Sequence, residues 1–356
     1  MHAGPPSYSP RMAMVIAGID EAGYGPTLGP LVVSMTVFKI DRPIDEGVPN
    51  LWTLLGSGVC RDPGRNGSAG PGGRVPIADS KRLKLANSVR STHPLVHLER
   101  GVLAFKSHAA GSAPMDFATH TDVSLAESVG AVLPGSAWYQ GEPIPLPVAL
   151  TAGEAGISSN LVGQALERAS VSLLSMRGEI VSESSFNTTI DDTGNKSETT
   201  ILAVGRHIRW LLESPLSELG MGDDDRLGVV CDRLGGRAMY AEVLERLLPG
   251  FVASVVEEGP ERSRYVVEGK GRRVGVSFLT EAEGAHLPVA LASMLAKYLR
   301  ELTMLRFNRY WSARAADHGL VELKPTAGYA LDARRWLTDA APMLDASLRR
   351  DLVRKA

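Results

Sequence analysis

Two apolar runs near the start of the chain constrain its fold more than any other feature. The first, MAMVIAGID, is small and apolar until it stops at Asp20-Glu21; the second, GPLVVSMTVFKI, carries no charge before Lys39. Gly and Pro fill the turn between them. Each run is far too short to span a bilayer, and Met12 to Ile19 is too short for the apolar region of a secretory signal with its cleavage site. The two runs therefore read as buried strands.

Further strands and helices alternate along the chain. KRLKLANSVRSTHPLVHLERGVLAF has helical character broken at Pro94, NLVGQALERASVSLLSM reads as an amphipathic helix, and RGEIVSESSF reads as a strand. ETTILAVGRHIRWLLESPL reads as a helix, RLGVVCD as a short strand ending in Asp232, and AMYAEVLERLL as a helix. FVASVVEEG and RYVVEGKGRRVGVSFLT suggest two more strands, arranged as a hairpin, and Pro288 opens a long helix. This alternation predicts an α/β layer architecture, a mixed β-sheet flanked by helices. Residues 1–11, with three prolines, read as a disordered lead-in to one domain over 12–356, whose part from about 288 is helical. Residues 56–73 read as a flexible loop. Residues 107–159 turn to Gly, Pro, Ala and Ser and read as an insertion lying outside the sheet.

With 44% apolar residues a sizeable core is possible, and a net charge of -2 excludes a protein that coats nucleic acid by bulk charge. It does not exclude an enzyme with a local basic face: Lys297 to Ala356 holds 12 Lys or Arg against seven Asp or Glu. Cys60 and Cys231 stand far apart without a ligand pattern, which argues against a zinc site or disulfide framework and for a reducing cytoplasm. Neither a membrane association nor an obligatory protein partner is expected.

The acids carry the chemistry. Asp20 and Glu21 end one strand, Asp232 ends another, and Glu281 and Glu283 precede the long helix. Carboxylates at strand ends are where α/β folds usually build active sites. Mg²⁺ takes oxygen ligands, one or two carboxylates per ion, and a pair of ions can activate a water and stabilise the leaving oxygen of a phosphodiester. The plainer reading is that Asp20 and Asp232 cap turns or helices.

GIDEAGYGPTLGPLVVSMTVF, ADSKRLK, VVCDRLGG and EAEGAHLPVALASMLAKYLRE, in that order, resemble the four motifs of the type 2 ribonuclease H family, ribonucleases HII and HIII. The resemblance spans Gly18 to Glu301, and KPTAGYALDARRW resembles a late Gly-Tyr motif more faintly. It implies a ribonuclease H-like fold and an endoribonuclease that cuts the RNA strand of RNA–DNA hybrids, or a ribonucleotide-containing duplex, with Mg²⁺ or Mn²⁺. Asp20, Glu21, Asp232 and Glu283 become the metal-binding and catalytic acids; counted back from Lys297, Glu283 rather than Glu281 takes the fourth position. Gly23, Tyr24 and Gly25 would touch the 2′-hydroxyl beside the cut, which distinguishes RNA from DNA. Ser80 and Lys81 would hold a backbone phosphate, and Ser293, Lys297 and Tyr329 would complete the substrate contacts.

The sequence departs from the family at Tyr24, which is usually basic, and at Glu283, where the HII type has Asp and the HIII type accepts Glu. The Thr and His after the Gly-Tyr pair are absent, with Leu331 and Arg334 nearby. HIII enzymes usually carry an extra N-terminal domain, which is not expected here. Two alternatives stand beside the enzyme: a catalytically altered nucleic-acid-binding protein, and a structure-specific DNA nuclease on the same fold.

Overall fold

The structure is a computed structural model that describes residues 13–41, 48–64, 72–89, 91–109, 133, 136–222, 225–320 and 322–355. The expected disordered lead-in, the middle of the glycine-rich loop and most of the first half of the expected insertion lie outside the described residues.

Among the described residues nine strands are formed: β1 (Met14–Ala22), β2 (Leu31–Ile40), β3 (Val59–Cys60), β4 (Val75–Pro76), β5 (Val171–Val181), β6 (Arg226–Asp232), β7 (Val252–Glu258), β8 (Arg262–Gly269) and β9 (Arg272–Leu279). Seven of them make one sheet in the order β5-β2-β1-β6-β9-β8-β7, and β3 pairs with β4 apart from it. β1, β6 and β9 run parallel at the centre, while the outer pairs are antiparallel. The mixed sheet flanked by helices is therefore the architecture the alternation predicted.

Side chains alternate across a strand, and both faces of β1 are covered. Met14 and Ile16 join a core under the Leu287–Asp317 helix, and Val15, Ala17 and Ile19 join a second core under the Ser197–Glu213 and Ala241–Leu247 helices. This is why the first apolar run shows no polar alternation until Asp20. The long helix presses directly onto β1 at Gly18. A Cβ there would lie 2.2 Å from the backbone of Pro288 and Val289, so only glycine admits this approach. Thr36 of β2 fixes the same helix end by donating to the Pro288 carbonyl at 2.8 Å.

Three local readings are corrected. VSLLSM is not helical: the Ala152–Ala169 helix stops at Ser170, which is in the left-handed conformation at φ 53°, and these residues begin β5. SESSF is not strand, because Ser182 caps the Glu183–Thr193 helix by accepting from the Ser185 amide. The two strands expected after Phe251 are three, since Lys270 and Gly271, both at positive φ, turn RYVVEGKGRRVGVSFLT back on itself as β8 and β9.

Residues read as an insertion reach into the core. Trp138 and Tyr139 are buried, and the Ala152–Ala169 helix starts inside that segment. Glu99, fully buried, anchors it by accepting from the amides of Val148, Ala149 and Leu150 at 2.6, 2.6 and 2.8 Å, with Tyr298 Oη as a further donor. Glu99→Ala is expected to cost about 3 kcal/mol, because it orphans several buried donors and opens a cavity. Urea denaturation measures this, and a midpoint unchanged from wild type would show that the anchor contributes nothing. No helix among the described residues is long and apolar enough to cross a membrane.

Candidate active site

The site is assembled by strand register. Ile19 of β1 pairs with Cys231 of β6, so Asp20 and Asp232 follow side by side at the carboxyl ends of two adjacent parallel strands. Alternation turns both toward the long helix, on the side of Ile16 and Val230, while Cys231 points into the opposite core. Cys231 is thus excluded from the donor set, and burial pushes its thiol up. Glu21 is the next residue of β1. Glu283 sits on the short Ala282–Ala285 helix directly before the long one, and Asp232 ties down that helix by accepting from the Ala282 amide at 3.1 Å.

These acids feel one another. Burial first, and then Glu21 and Asp232, hold the Asp20 carboxyl well above its usual range. Glu21 is pushed up to about 7 by burial and by Asp232, with Lys81 pulling the other way. Burial also raises Asp232 and Glu283, and Lys81 again opposes the rise. Four anionic groups gathered at one end of the sheet are a cost to the apo protein that a cation would relieve. One Glu283 carboxylate oxygen is buried without a hydrogen-bond partner.

Two of the four acids, Asp232 and Glu283, line a cleft of about 540 Å³ together with Asp79, Lys81, Glu281, Arg61, Arg82 and Arg233. Acids beside guanidinium and ammonium groups in one cleft suit a phosphate ester bridged to the protein by cations. The donor set is all carboxylate oxygen, which suits Mg²⁺ or Mn²⁺ rather than a soft metal. Among the described residues, no three His, Cys, Asp or Glu side chains are already gathered around one ion position.

Other residues singled out in the sequence fall around this cluster in distinct ways. Ser80 and Ser293 are 5% and 3% exposed, and the Ser293 hydroxyl donates to that of Ser80 at 3.0 Å, close enough to Asp20 to draw its carboxyl down against the rise from burial. Both serines are buried, whereas Lys81 is exposed at the cleft. Gly23 has φ +91°, and a Cβ would collide with Arg300 and the Pro30 carbonyl at 2.5–2.6 Å. Gly25 is exposed and a Cβ there would meet nothing within 4 Å, so the protein itself leaves this position open. Lys297 pairs with Glu301 at 2.9 Å and donates to the Tyr329 hydroxyl at 3.3 Å. Tyr329 is 47% exposed, with Arg300 and Lys297 against its ring, so it is a surface aromatic rather than part of the core.

Four residues near the cluster had no site role in the sequence reading. Asp79 adds its charge to Asp232 and Glu283 and caps the Ser80–Leu83 helix by accepting from the Lys81 amide. Its place in the ADSK motif was the available signal. Arg61 stacks 3.8 Å over Trp52 and donates to the Gly284 carbonyl, bringing a cation beside Glu283. Lys196 stands 5.3 Å from the Tyr24 ring centre, supplying a positive charge where Tyr24 itself has none. Arg354 grips the loop after Glu21. Arg61, Lys196 and Arg354 are brought in by long-range packing and carry no local pattern.

No protein-family model and no curated protein match the sequence. Among solved structures, the chain is similar to a ribonuclease HII from Archaeoglobus fulgidus, solved in complex with PCNA, at 16% identity over 96% of this chain and 94% of that one, with a TM-score of 0.38. It is also similar to the ribonuclease H2 of Pyrococcus horikoshii, at 12% identity over 95% and 97% of the two chains, TM-score 0.32. A third is a Bst ribonuclease HIII in complex with Mn²⁺, at 13% identity over 97% of this chain and 67% of that one, TM-score 0.38. The likeness is distant, and the chemistry is argued from the site itself.

Proposed function

We propose that this protein is a metal-dependent endoribonuclease that hydrolyses the RNA strand of RNA–DNA hybrids, with Asp20, Glu21, Asp232 and Glu283 as its metal-binding and catalytic acids. What supports the reading is the strand register, which ends β1 and β6 side by side at Asp20 and Asp232, with Glu21 next in β1 and Glu283 on the short helix whose Ala282 amide donates to Asp232. Motif order supplies the substrate class.

The carboxylates fit Mg²⁺ or Mn²⁺, which when bound would activate water and neutralise charge at the scissile phosphate. Asp20 is oriented by the Glu21 amide at 2.8 Å, and the buried Ser293 hydroxyl, which donates to Ser80, lies beside it. The role of the two serines is thus to fix a ligand, not to meet substrate. Lys81, Arg61, Arg82 and Arg233 line the approach for the polyanionic backbone. The loop Gly23-Tyr24-Gly25 brings backbone toward the ribose, and its open face at Gly25 is where a 2′-hydroxyl distinguishes RNA from DNA.

The direct test is cleavage of a labelled RNA–DNA hybrid beside a duplex with one embedded ribonucleotide, double-stranded RNA and branched DNA, with Mg²⁺ and with Mn²⁺. Cutting of branched DNA in preference to both ribonucleotide substrates would replace this reading with a structure-specific nuclease. Binding of hybrid without cutting would replace it with a binding protein.

Lys81→Ala and Lys196→Ala are each expected to reduce the slope of log affinity against log salt by about one, since each removes one phosphate contact. Fluorescence anisotropy with a labelled hybrid at four salt concentrations reads this. A slope equal to wild type takes the residue off the phosphate backbone.

A further inference from the structure

The loop that carries Tyr24 is held by a residue 330 positions further along the chain. Arg354 is 4% exposed, and its guanidinium gathers three carbonyls of this one loop. Nη1 donates to the carbonyl oxygens of Gly23 and Gly29, and Nη2 donates to that of Tyr24 at 2.8 Å. The Arg354 amide adds a bond to the Thr27 carbonyl at 2.9 Å. The guanidinium lies 3.8 Å from the Phe186 ring centre, and the buried carboxylate of Glu183 provides the opposite charge. Asn187 secures the segment around it, donating to the Val353 carbonyl and accepting from the Lys355 amide.

Burying an arginine is costly unless its charge is paired and its donors are used. Here the fork serves several carbonyls at once, which a lysine's single ammonium cannot do with the same geometry. The inner side of the loop is bonded throughout: Thr27 and Leu28 amides go to the Gly328 carbonyl and the Gly29 amide goes to Glu183. Gly25 is exposed, and a Cβ there would meet nothing within 4 Å.

We infer that Arg354 is a positioning residue for the substrate loop, fixing the backbone of Gly23, Tyr24 and Gly29 so that Gly25 faces the ribose. The inference rests on the role given to that loop above, but the clamp itself is measurable without substrate. Arg354→Met is expected to raise amide hydrogen exchange from Tyr24 to Leu28 by about tenfold or more while leaving β1 and β6 protected as before. On hybrid, KM is expected to rise about tenfold with kcat within about twofold of wild type, because binding and not chemistry loses its geometry. Arg354→Lys should fall between the two.

Arg354→Met leaves Glu183 buried without its cation, which lowers the melting temperature in addition to the loss of the three carbonyl bonds. The double variant Arg354→Met/Glu183→Gln removes both charges; it is expected to recover part of the melting temperature while the loop still exchanges fast. Wild-type exchange of the loop in either folded variant overturns the inference. If the wild-type protein does not cut hybrid, the exchange measurement still decides the clamp, and only the proposed function fails.

Discussion

Asp20→Asn and Asp232→Asn are each expected to lower hybrid cleavage by about a thousandfold or more, equivalent to about 4 kcal/mol of transition-state stabilisation. Asparagine keeps the shape and one acceptor oxygen, so the bonds to Asp20 from the Glu21 amide and to Asp232 from the Ala282 amide survive. What is lost is a ligand charge. The stability of the metal-free protein should move the other way. Burial and neighbouring acids disfavour ionised Asp20, and Asp232 in turn raises Asp20, Glu21 and Glu283. Removing one member of the set relieves its neighbours, and the metal-free melting temperature should stay level or rise. A substitution that merely damaged the fold would lower activity and melting temperature together. Glu283→Gln should be less damaging, since Glu283 stands at the edge of the cluster on its own short helix. Glu281→Gln should be nearly silent: Glu281 is exposed and precedes that helix in a left-handed conformation, at φ 54°. That contrast separates two acids only two residues apart. Steady-state rates on labelled hybrid and thermal melts measure all four variants, and wild-type cutting by both aspartate variants would sink the proposed enzyme.

Asp20-Glu21 and Asp232 stand out in the sequence because each closes an apolar run, whereas Glu283 is picked out only by the motif register counted back from Lys297. β1, β6 and the long helix follow from the same signal, as does the mixed sheet. What the sequence concealed is what depends on partners far along the chain. Ser80 and Ser293 look like surface hydroxyls in their motifs, yet they are buried and meet each other 213 positions apart. Averaged composition hid Trp138 and Tyr139, two core aromatics within a stretch dominated by Gly, Pro, Ala and Ser. The change from helix to strand at Ser170 turned on one left-handed residue, and the helix after Ser182 on one capping hydroxyl. Neither leaves a periodic trace. The glycines of the loop after Glu21 were visible, but the residue that holds that loop was not, since a lone arginine near a basic segment ordinarily reads as solvated surface.

Mg²⁺ or Mn²⁺ is expected to raise the melting temperature, and the rise should grow with pH. Asp20, Glu21, Asp232 and Glu283 all have folded pKa values above their ordinary ones, with Glu21 moved from 4.5 to about 7. Raised carboxyl values mean that the folded metal-free protein binds protons more tightly than the unfolded chain. The contribution of Glu21 to stability is fully present below about pH 4.5 and is lost as pH rises through about 7, and the raised Asp20, Asp232 and Glu283 act in the same direction. A dication reverses this trend, because it takes the ionised carboxylates that the apo protein disfavours, and its affinity therefore increases as protons leave. At a free metal concentration about a hundred times the dissociation constant, mass action contributes about 2.7 kcal/mol to the folded state. The gap between melts with metal and with chelator should thus be small near about pH 5 and reach several degrees near about pH 8. Asp20→Asn and Asp232→Asn should shrink the gap at the higher pH, whereas Glu281→Gln should leave it unchanged. The readout needs no substrate, so it tests the metal site independently of what the enzyme cuts. A gap of equal size at both pH values, or one that survives loss of both aspartates, would mean that the ion stabilises the protein somewhere other than at the ends of β1 and β6.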